Sequence, residues 1–315
     1  MIAQLLYDAL AKRRPHGLSG KLFTKLVSTA RQIALKADDP LVDYTVGDSS
    51  IKIPLSHNLG VYYRNDAMYA VSLASIAKAV QSKYRDLTFI DVGANVGDTT
   101  PLLRSKANFP ILAIEGDPKF YEMLELNSRK FENVTTVKRF LGESDQLADG
   151  FSFVASNGTG RLAKSETASD ATKIVRLDAL LEEYPAFAGA KMIKTDTDGF
   201  DGKVLRGAAA TLRKVKPVVF FEYAPFYWQQ QGEDCVSIFS FLKDTGYSKF
   251  MVFLPSGEYF CSSRTDNTDF IEELRVIHKK LYFYCDICAF AEADLDLFEQ
   301  VRQQELAAVL AQKRW

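Results

Sequence analysis

Asp91-Val-Gly-Ala-Asn-Val-Gly-Asp98 follows the apolar run Thr88-Phe-Ile-Asp-Val92 and precedes a segment of helical spacing that opens at Thr99. Glycines at 93 and 97 let a backbone turn tightly and approach a ligand closely, and free N–H groups at a helix start can meet a carboxylate or phosphate. A dinucleotide fingerprint requires Gly-x-Gly-x-x-Gly, but position 95 is Asn and the residue three after it is Asp98. The spacing Asp-x-Gly-x-x-x-Gly instead suits S-adenosylmethionine, whose zwitterionic methionine end can use the acid as well as the amides. Two readings compete: a purely structural turn, and a nicotinamide-dependent oxidoreductase on a similar sheet. The missing glycine at 95 speaks against the second.

Outward from this turn, short continuous apolar stretches alternate with amphipathic ones from Leu87 onward, the pattern of a parallel sheet covered on both faces. Seven strands are predicted, at Thr88–Val92, Ile111–Glu115, Val134–Phe140, Met192–Thr195, Val218–Glu222, Phe250–Leu254 and Leu281–Phe290. Helices are predicted near Thr99–Ser105, Lys119–Lys130, Gly202–Lys214 and Val236–Thr245, with a polar helix from Leu295 to Ala311 at the end. The fold class is therefore α/β and Rossmann-like. Residues 1–82 read as an N-terminal appendage: two short helices over 1–37 broken near Pro15–Gly20, a hairpin over Tyr44–Pro54 about a Gly-Asp turn, a loop at Leu55–Gly60, and a helix over Met68–Val80. Residues 83–292 form the main domain and 293–315 the closing helix. The Ser-, Gly- and Thr-rich segment from Gly150 to Asp170 has no period and is predicted to be a long loop.

Acids recur where the predicted strands end. Glu115 closes the second strand at the carboxyl edge of the sheet, where a carboxylate can accept both ribose hydroxyls. Asp91, Gly93, Asn95, Gly97, Asp98, Thr99 and Glu115 are thus the expected cofactor residues, with Leu141 and Gly142, after the third strand, bordering the adenine. In Lys194-Thr-Asp-Thr-Asp-Gly-Phe-Asp201, Asp196 is a candidate for the cofactor ammonium, for a substrate hydroxyl, or for both, while Asp198 faces substrate or caps a helix, as Asp201 does. Glu222 ends the fifth strand, and two carboxylates in one crevice raise one pKa and yield a base. His57, one of three histidines, is a further general-base candidate, with a surface or structural role as the alternative. Tyr223, Tyr227 and Trp228, with Tyr62, Tyr63 and Tyr69, offer flat surfaces for sugar stacking or simply fill the core.

Composition narrows the classes. The 315 residues carry 39 Lys+Arg against 40 Asp+Glu, a net charge of -1 that gives no global basic field for nucleic acid. No secretory signal precedes the first helix, and no apolar run is long enough to span a bilayer, so a cytoplasmic location is expected. Four cysteines, at 235, 261, 285 and 288, do not make a disulfide framework, and Cys285-Asp-Ile-Cys288 lacks a second pair for zinc. No metal is required, although Asp196, Asp198 and Glu222 offer oxygen ligands. An oligomer of the chain is compatible with this composition.

Taken in order, Asp91-Val-Gly-Ala-Asn-Val-Gly97, Ile114-Glu115, Val175-Arg-Leu-Asp-Ala-Leu180, Ile193-Lys-Thr-Asp-Thr-Asp-Gly199 with Val204-Leu-Arg-Gly-Ala208, and Lys216-Pro217 leading to Phe221-Glu222 resemble the FkbM family of methyltransferases. The resemblance covers residues 87–225. It implies a seven-stranded class I methyltransferase sheet with helices on both faces, S-adenosylmethionine as donor, and O-methylation of hydroxyls on surface-polysaccharide sugars or natural products. Pro54-Leu-Ser-His-Asn58 is similar to an element that covers the cofactor in some members. The chain departs from the family form Asp-Val-Glu-Gly-x-Glu with Asp196-Thr-Asp-Gly-Phe-Asp201, which keeps the charge on shorter arms. The expected protein is an O-methyltransferase acting on a sugar or surface-polysaccharide acceptor, with Asp196 as base or orienter and Glu222 and His57 behind it. A non-catalytic glycan-binding or scaffold protein on the same fold is the alternative.

Overall fold

The structure, a computed structural model, describes residues 1–12, 18–66, 68–148, 151–156, 159–164, 172–281 and 284–311. Its centre is a sheet of eight strands: β1 (Phe89–Val92), β2 (Ile111–Glu115), β3 (Val134–Lys138), β4 (Met192–Thr195), β5 (Val218–Tyr223), β6 (Tyr247–Phe253), β7 (Tyr259–Arg264) and β8 (Cys285–Ala291). Their order across the sheet is β7-β6-β8-β5-β4-β1-β2-β3. The strands from β3 to β5 pair in parallel, β8 inserts antiparallel between β5 and β6, and β7 runs antiparallel at the edge of β6.

These strands are apolar without alternation because both faces are buried. Phe89, Met192, Val218 and Phe220 go to one core, and Ile90, Ile193, Val219 and Phe221, their neighbours along each strand, go to the other. The first core also takes in Tyr7 and the hairpin residues Val46, Ile51 and Ile53, so the elements before β1 pack directly onto a sheet face. The second core holds helices Leu177–Glu183, Ser237–Asp244 and Thr268–Leu281.

Four expectations need correction. The sheet has eight strands rather than seven, because Tyr259–Arg264 adds an edge strand whose half-exposed, polar sequence shows little apolar patterning. Thr268–Leu281 is an amphipathic helix, and the strand predicted from Leu281 begins only at Cys285. The helix predicted over Gly202–Lys214 is two, Asp201–Arg206 and Ala209–Lys214. Asp178 causes the break: its carboxylate accepts from Ala210 N, Thr211 N and Thr211 Oγ1 at 2.8, 3.0 and 2.7 Å, capping the second helix from outside. Finally, within the predicted long loop, Phe151–Ser156 and Thr159–Lys164 pair as an antiparallel hairpin, while 150, 157–158 and 165–170 of that segment lie outside the described residues. Among the described residues, no helix is long and apolar enough to cross a membrane.

Candidate active site

The order reverses between β4 and β1, and at such a switch point the loops leaving neighbouring strands part to open a crevice at the carboxyl ends. Gly93 (φ +73°), Asn95 (φ +50°) and Gly97 (φ +83°) all take left-handed backbone, coiling the turn tightly after β1. Gly93 N and Ala94 N both donate to Ile114 O at 3.0 Å, which ties the turn to β2. A Cβ on Gly93 would stand 1.9 Å from the backbone oxygen of Asp196, so only glycine lets the loops after β1 and β4 come this close.

Glu115 sits at the end of β2 with its carboxylate accepting from Asn95 N and Asp117 N, each at 2.8 Å. Burial pushes this carboxyl up to about 7, against the lowering effect of those hydrogen bonds. Loss of solvation also pushes the partly exposed Asp98 carboxyl up to about 6, with Lys194 opposing the shift. Lys194 stands opposite Asp91 in the β1–β4 register. Its Nζ lies 3.1 Å from Asp91 Oδ1 and 3.5 Å from Asp196 Oδ2, and it donates to Gly93 O at 3.2 Å. One buried cation thus anchors the strand ends, and those acids hold it charged. Asp201 closes the loop after β4 back on itself by accepting from Thr195 Oγ1 (2.8 Å) and Thr197 N (3.1 Å), and burial pushes its carboxyl up to about 6.

These elements line a cleft of about 370 Å³, within the usual range for a small-molecule site. Six carboxyls, Asp98, Glu115, Asp196, Asp198, Glu222 and Asp286, line it with Lys194 and Arg139. Glu222 and Asp286 are register partners on β5 and β8. Burial first, and Asp196 second, push both carboxyls well above the ordinary range, and Glu222 Oε2 makes no hydrogen bond. Asp196 differs from them: its side chain is 52% exposed and open to the cleft. Tyr62 and Tyr69, whose rings stack at 5.6 Å, line the opening with Tyr227 and Tyr284.

Of the residues expected from the sequence, Gly93, Asn95, Asp98, Thr99, Glu115, Leu141, Asp196, Asp198, Glu222, Tyr227 and His57 line this cleft. Others do not. Asp91 is 1% exposed and engaged by Lys194, so it organises the turn from behind and does not line the cleft. Gly97 turns inward against Leu124, and Gly142 is directed to Ile174 and bonded to Val175 O. Tyr223 and Trp228 are fully buried in the second core, ring against ring at 5.6 Å, so stacking an acceptor on them is excluded by their packing. His57 reaches the cleft but is not a free base: Nδ1 accepts from Leu59 N at 3.1 Å, Nε2 faces Asn95 Oδ1 at 3.3 Å, and burial lowers its pKa to about 4. It is a positioning residue that braces Asn95. Cys285 and Cys288 point to opposite cores, away from any shared ligand. Among the described residues, no three His, Cys, Asp or Glu side chains are grouped to hold a metal ion.

Asp286, Tyr284 and Arg139 were not foreseen. A signal for the first was present: an acid within the otherwise apolar β8. Lys194 carried the same signal within β4.

Residues 91–249 match the methyltransferase FkbM domain. No protein of curated function matches the chain significantly. Among solved structures, methyltransferase FkbM from Methylobacillus flagellatus superposes at a TM-score of 0.38 and 15% identity, over 82% of this chain and 58% of that one. A precorrin-6y C5,15-methyltransferase from Geobacter metallireducens gives 0.35 and 15%, over 69% and 86%. A TehB-like methyltransferase from Corynebacterium glutamicum gives 0.35 and 9%, over 85% and 96%. The chain spans little more than half the length of the Methylobacillus protein. With the matched domain covering half of its sequence, from the turn at Asp91 through β4 and β5, the chain belongs to the FkbM family of S-adenosylmethionine-dependent methyltransferases.

Proposed function

We propose that the protein transfers the methyl group of S-adenosylmethionine to a hydroxyl of a sugar or surface-polysaccharide acceptor. The observation that carries this reading is the placement of Asp196: it is the exposed carboxyl in a cleft whose other wall is the Gly93–Thr99 turn and Glu115. The donor supplies an electrophilic methyl on a sulfonium sulfur. Glu115 would accept from the ribose hydroxyls, and Phe140 and Leu141, which line the same cleft, would border the adenine. Asp196 would receive the proton that the acceptor hydroxyl gives up as its oxygen bonds to the methyl carbon and the sulfur–carbon bond breaks. Tyr62, Tyr69 and Tyr227 border the opening where an acceptor ring would lie, and Asp198 projects into the same space.

Labelled S-adenosylmethionine with a panel of sugar nucleotides and surface glycans tests the acceptor, and Asp196→Asn tests the base. The variant should lose about 10²–10⁴-fold in turnover, the usual worth of a general base, and keep donor affinity within about tenfold. Transfer to natural-product hydroxyls but to no sugar would overturn the acceptor class. Full turnover by Asp196→Asn would overturn the role of that residue.

A further inference from the structure

Helix Leu18–Leu35 lies against the body through Val27 and Arg31, 8% and 7% exposed, and Arg31 donates to Leu55 O and Asn58 Oδ1 at 2.8 and 2.9 Å. Its other side is unusual. Leu22, Leu26 and Ile33 are 61%, 60% and 63% exposed. At 3.6 residues per turn they fall within about 40° of one another, in a single outward stripe. Exposed Lys21 and Lys25 fall along one flank of that stripe, about 80–120° around from its centre, and exposed Lys36 follows in the turn just past the helix. Ile2 and Leu5 of the preceding helix, Ile2–Ala11, are exposed as well, at 71% and 63%. Scattered single apolar residues need no explanation, but here they cluster in one part of the chain.

Charge is distributed in the same way. Residues 1–36 hold seven Lys and Arg against the single acid Asp8, while the rest of the chain holds 32 basic against 39 acidic side chains. A near-neutral protein thus concentrates its positive charge on the segment that also exposes an apolar stripe. A second copy packed antiparallel about a two-fold axis on this face is a poor occupant, because it would bring each lysine row toward its own copy. An apolar stripe with lysines beside it has the chemistry of a helix lying in the plane of a lipid headgroup layer, with leucines at the acyl boundary and ammonium groups on anionic phosphates.

We propose that helix Leu18–Leu35 docks the protein onto an anionic membrane surface through Leu22, Leu26 and Ile33, with Lys21, Lys25 and Lys36 contacting the headgroups. The helix lies on the surface and does not span it. This inference is independent of the acceptor reading, since it uses no residue of the cleft.

Flotation of the full chain with vesicles of phosphatidylglycerol and phosphatidylcholine in equal parts, against vesicles of phosphatidylcholine alone, tests it. The protein should float with the mixed vesicles at low salt, and raised salt should release it. Lys21→Gln with Lys25→Gln should weaken partitioning about 25-fold, on the order of fivefold for each lysine at a charged surface. The triple variant Leu22→Gln, Leu26→Gln, Ile33→Gln should no longer float, while its melting temperature and donor affinity stay those of the wild type. Failure of the wild type to float, equal binding to neutral vesicles, or full binding by the triple variant would each overturn the proposal. So would a wild-type dimer in light scattering that the triple variant dissolves without any vesicle binding, which would assign the face to a second copy.

Discussion

Replacing Gly93 with alanine tests the central geometric claim, that the loops after β1 and β4 meet only because residue 93 has no side chain. The added Cβ would lie 1.9 Å from Asp196 O, where ordinary contact begins at 3.4 Å, so the two loops must part by about 1.5 Å. They cannot part freely, because Asp196 N donates to Val92 O at 3.0 Å across the same junction. Left-handed backbone at φ +73° costs a residue with a Cβ about 1–2 kcal/mol. Overpacking adds about 1–3 kcal/mol and a lost hydrogen bond about 0.5–1.5 kcal/mol. A destabilisation of about 3–6 kcal/mol follows, and the melting temperature should drop on the order of 10 °C for a chain of this size. Gly189→Ala is the control, since nothing lies within 4 Å of its Cβ position. Thermal unfolding followed by circular dichroism and titration with S-adenosylmethionine read both effects. A Gly93→Ala protein that melts like Gly189→Ala and binds the donor with wild-type affinity would refute the reasoning.

Trp228→Ala should cost about 3–5 kcal/mol in urea unfolding, as a large core truncation does, whereas Tyr227→Ala, at a ring partly buried against the same core, should cost less and raise the acceptor KM roughly 2–10-fold, the size of a lost stacking contact. Lys194→Met should destabilise by about 3–5 kcal/mol by leaving Asp91 buried without its cation, and adding Asp91→Asn should recover part of that loss in the double variant. His57 is held neutral in the fold with a pKa of about 4 against an ordinary 6.5, so the stability it permits is complete above pH 6.5 and lost as pH falls toward 4. Between pH 7.5 and 4.5 the stability of His57→Gln should therefore rise by about 2–3 kcal/mol relative to the wild type, measured by urea unfolding at each pH.

Much of this was legible because its signals are local. Continuous apolar strands of four to six residues announce a sheet buried on both faces, and the glycines at 93 and 97 announce the turn. The edge strand Tyr259–Arg264 was not legible, because an edge exposes one side and its sequence loses the apolar run. The split at Gly207-Ala208 depends on Asp178, about thirty residues away, and no local spacing encodes that cap. Within the site, a strand-end acid identifies which edge it faces but not which way its side chain turns. Asp91 and Glu115 both end near the cleft, yet Lys194 claims the first while the second lines the cavity. Tyr223 and Trp228 failed for a related reason: on the short helix Pro225–Gln230 it is Phe226 that faces out and the partly buried Tyr227 that lines the cleft, and only the fold decides which ring of the cluster goes where.

The adjacent carboxyls of Glu222 and Asp286, held above the usual range at the side of the cleft, can each carry a proton at neutral pH. A ligand whose positive charge came to these oxygens would compete with those protons, since a cation and an acidic proton share the same sites. Donor binding at that corner would then release protons to the solvent. Its measured heat should change with the ionisation enthalpy of the buffer, and its affinity should rise with pH.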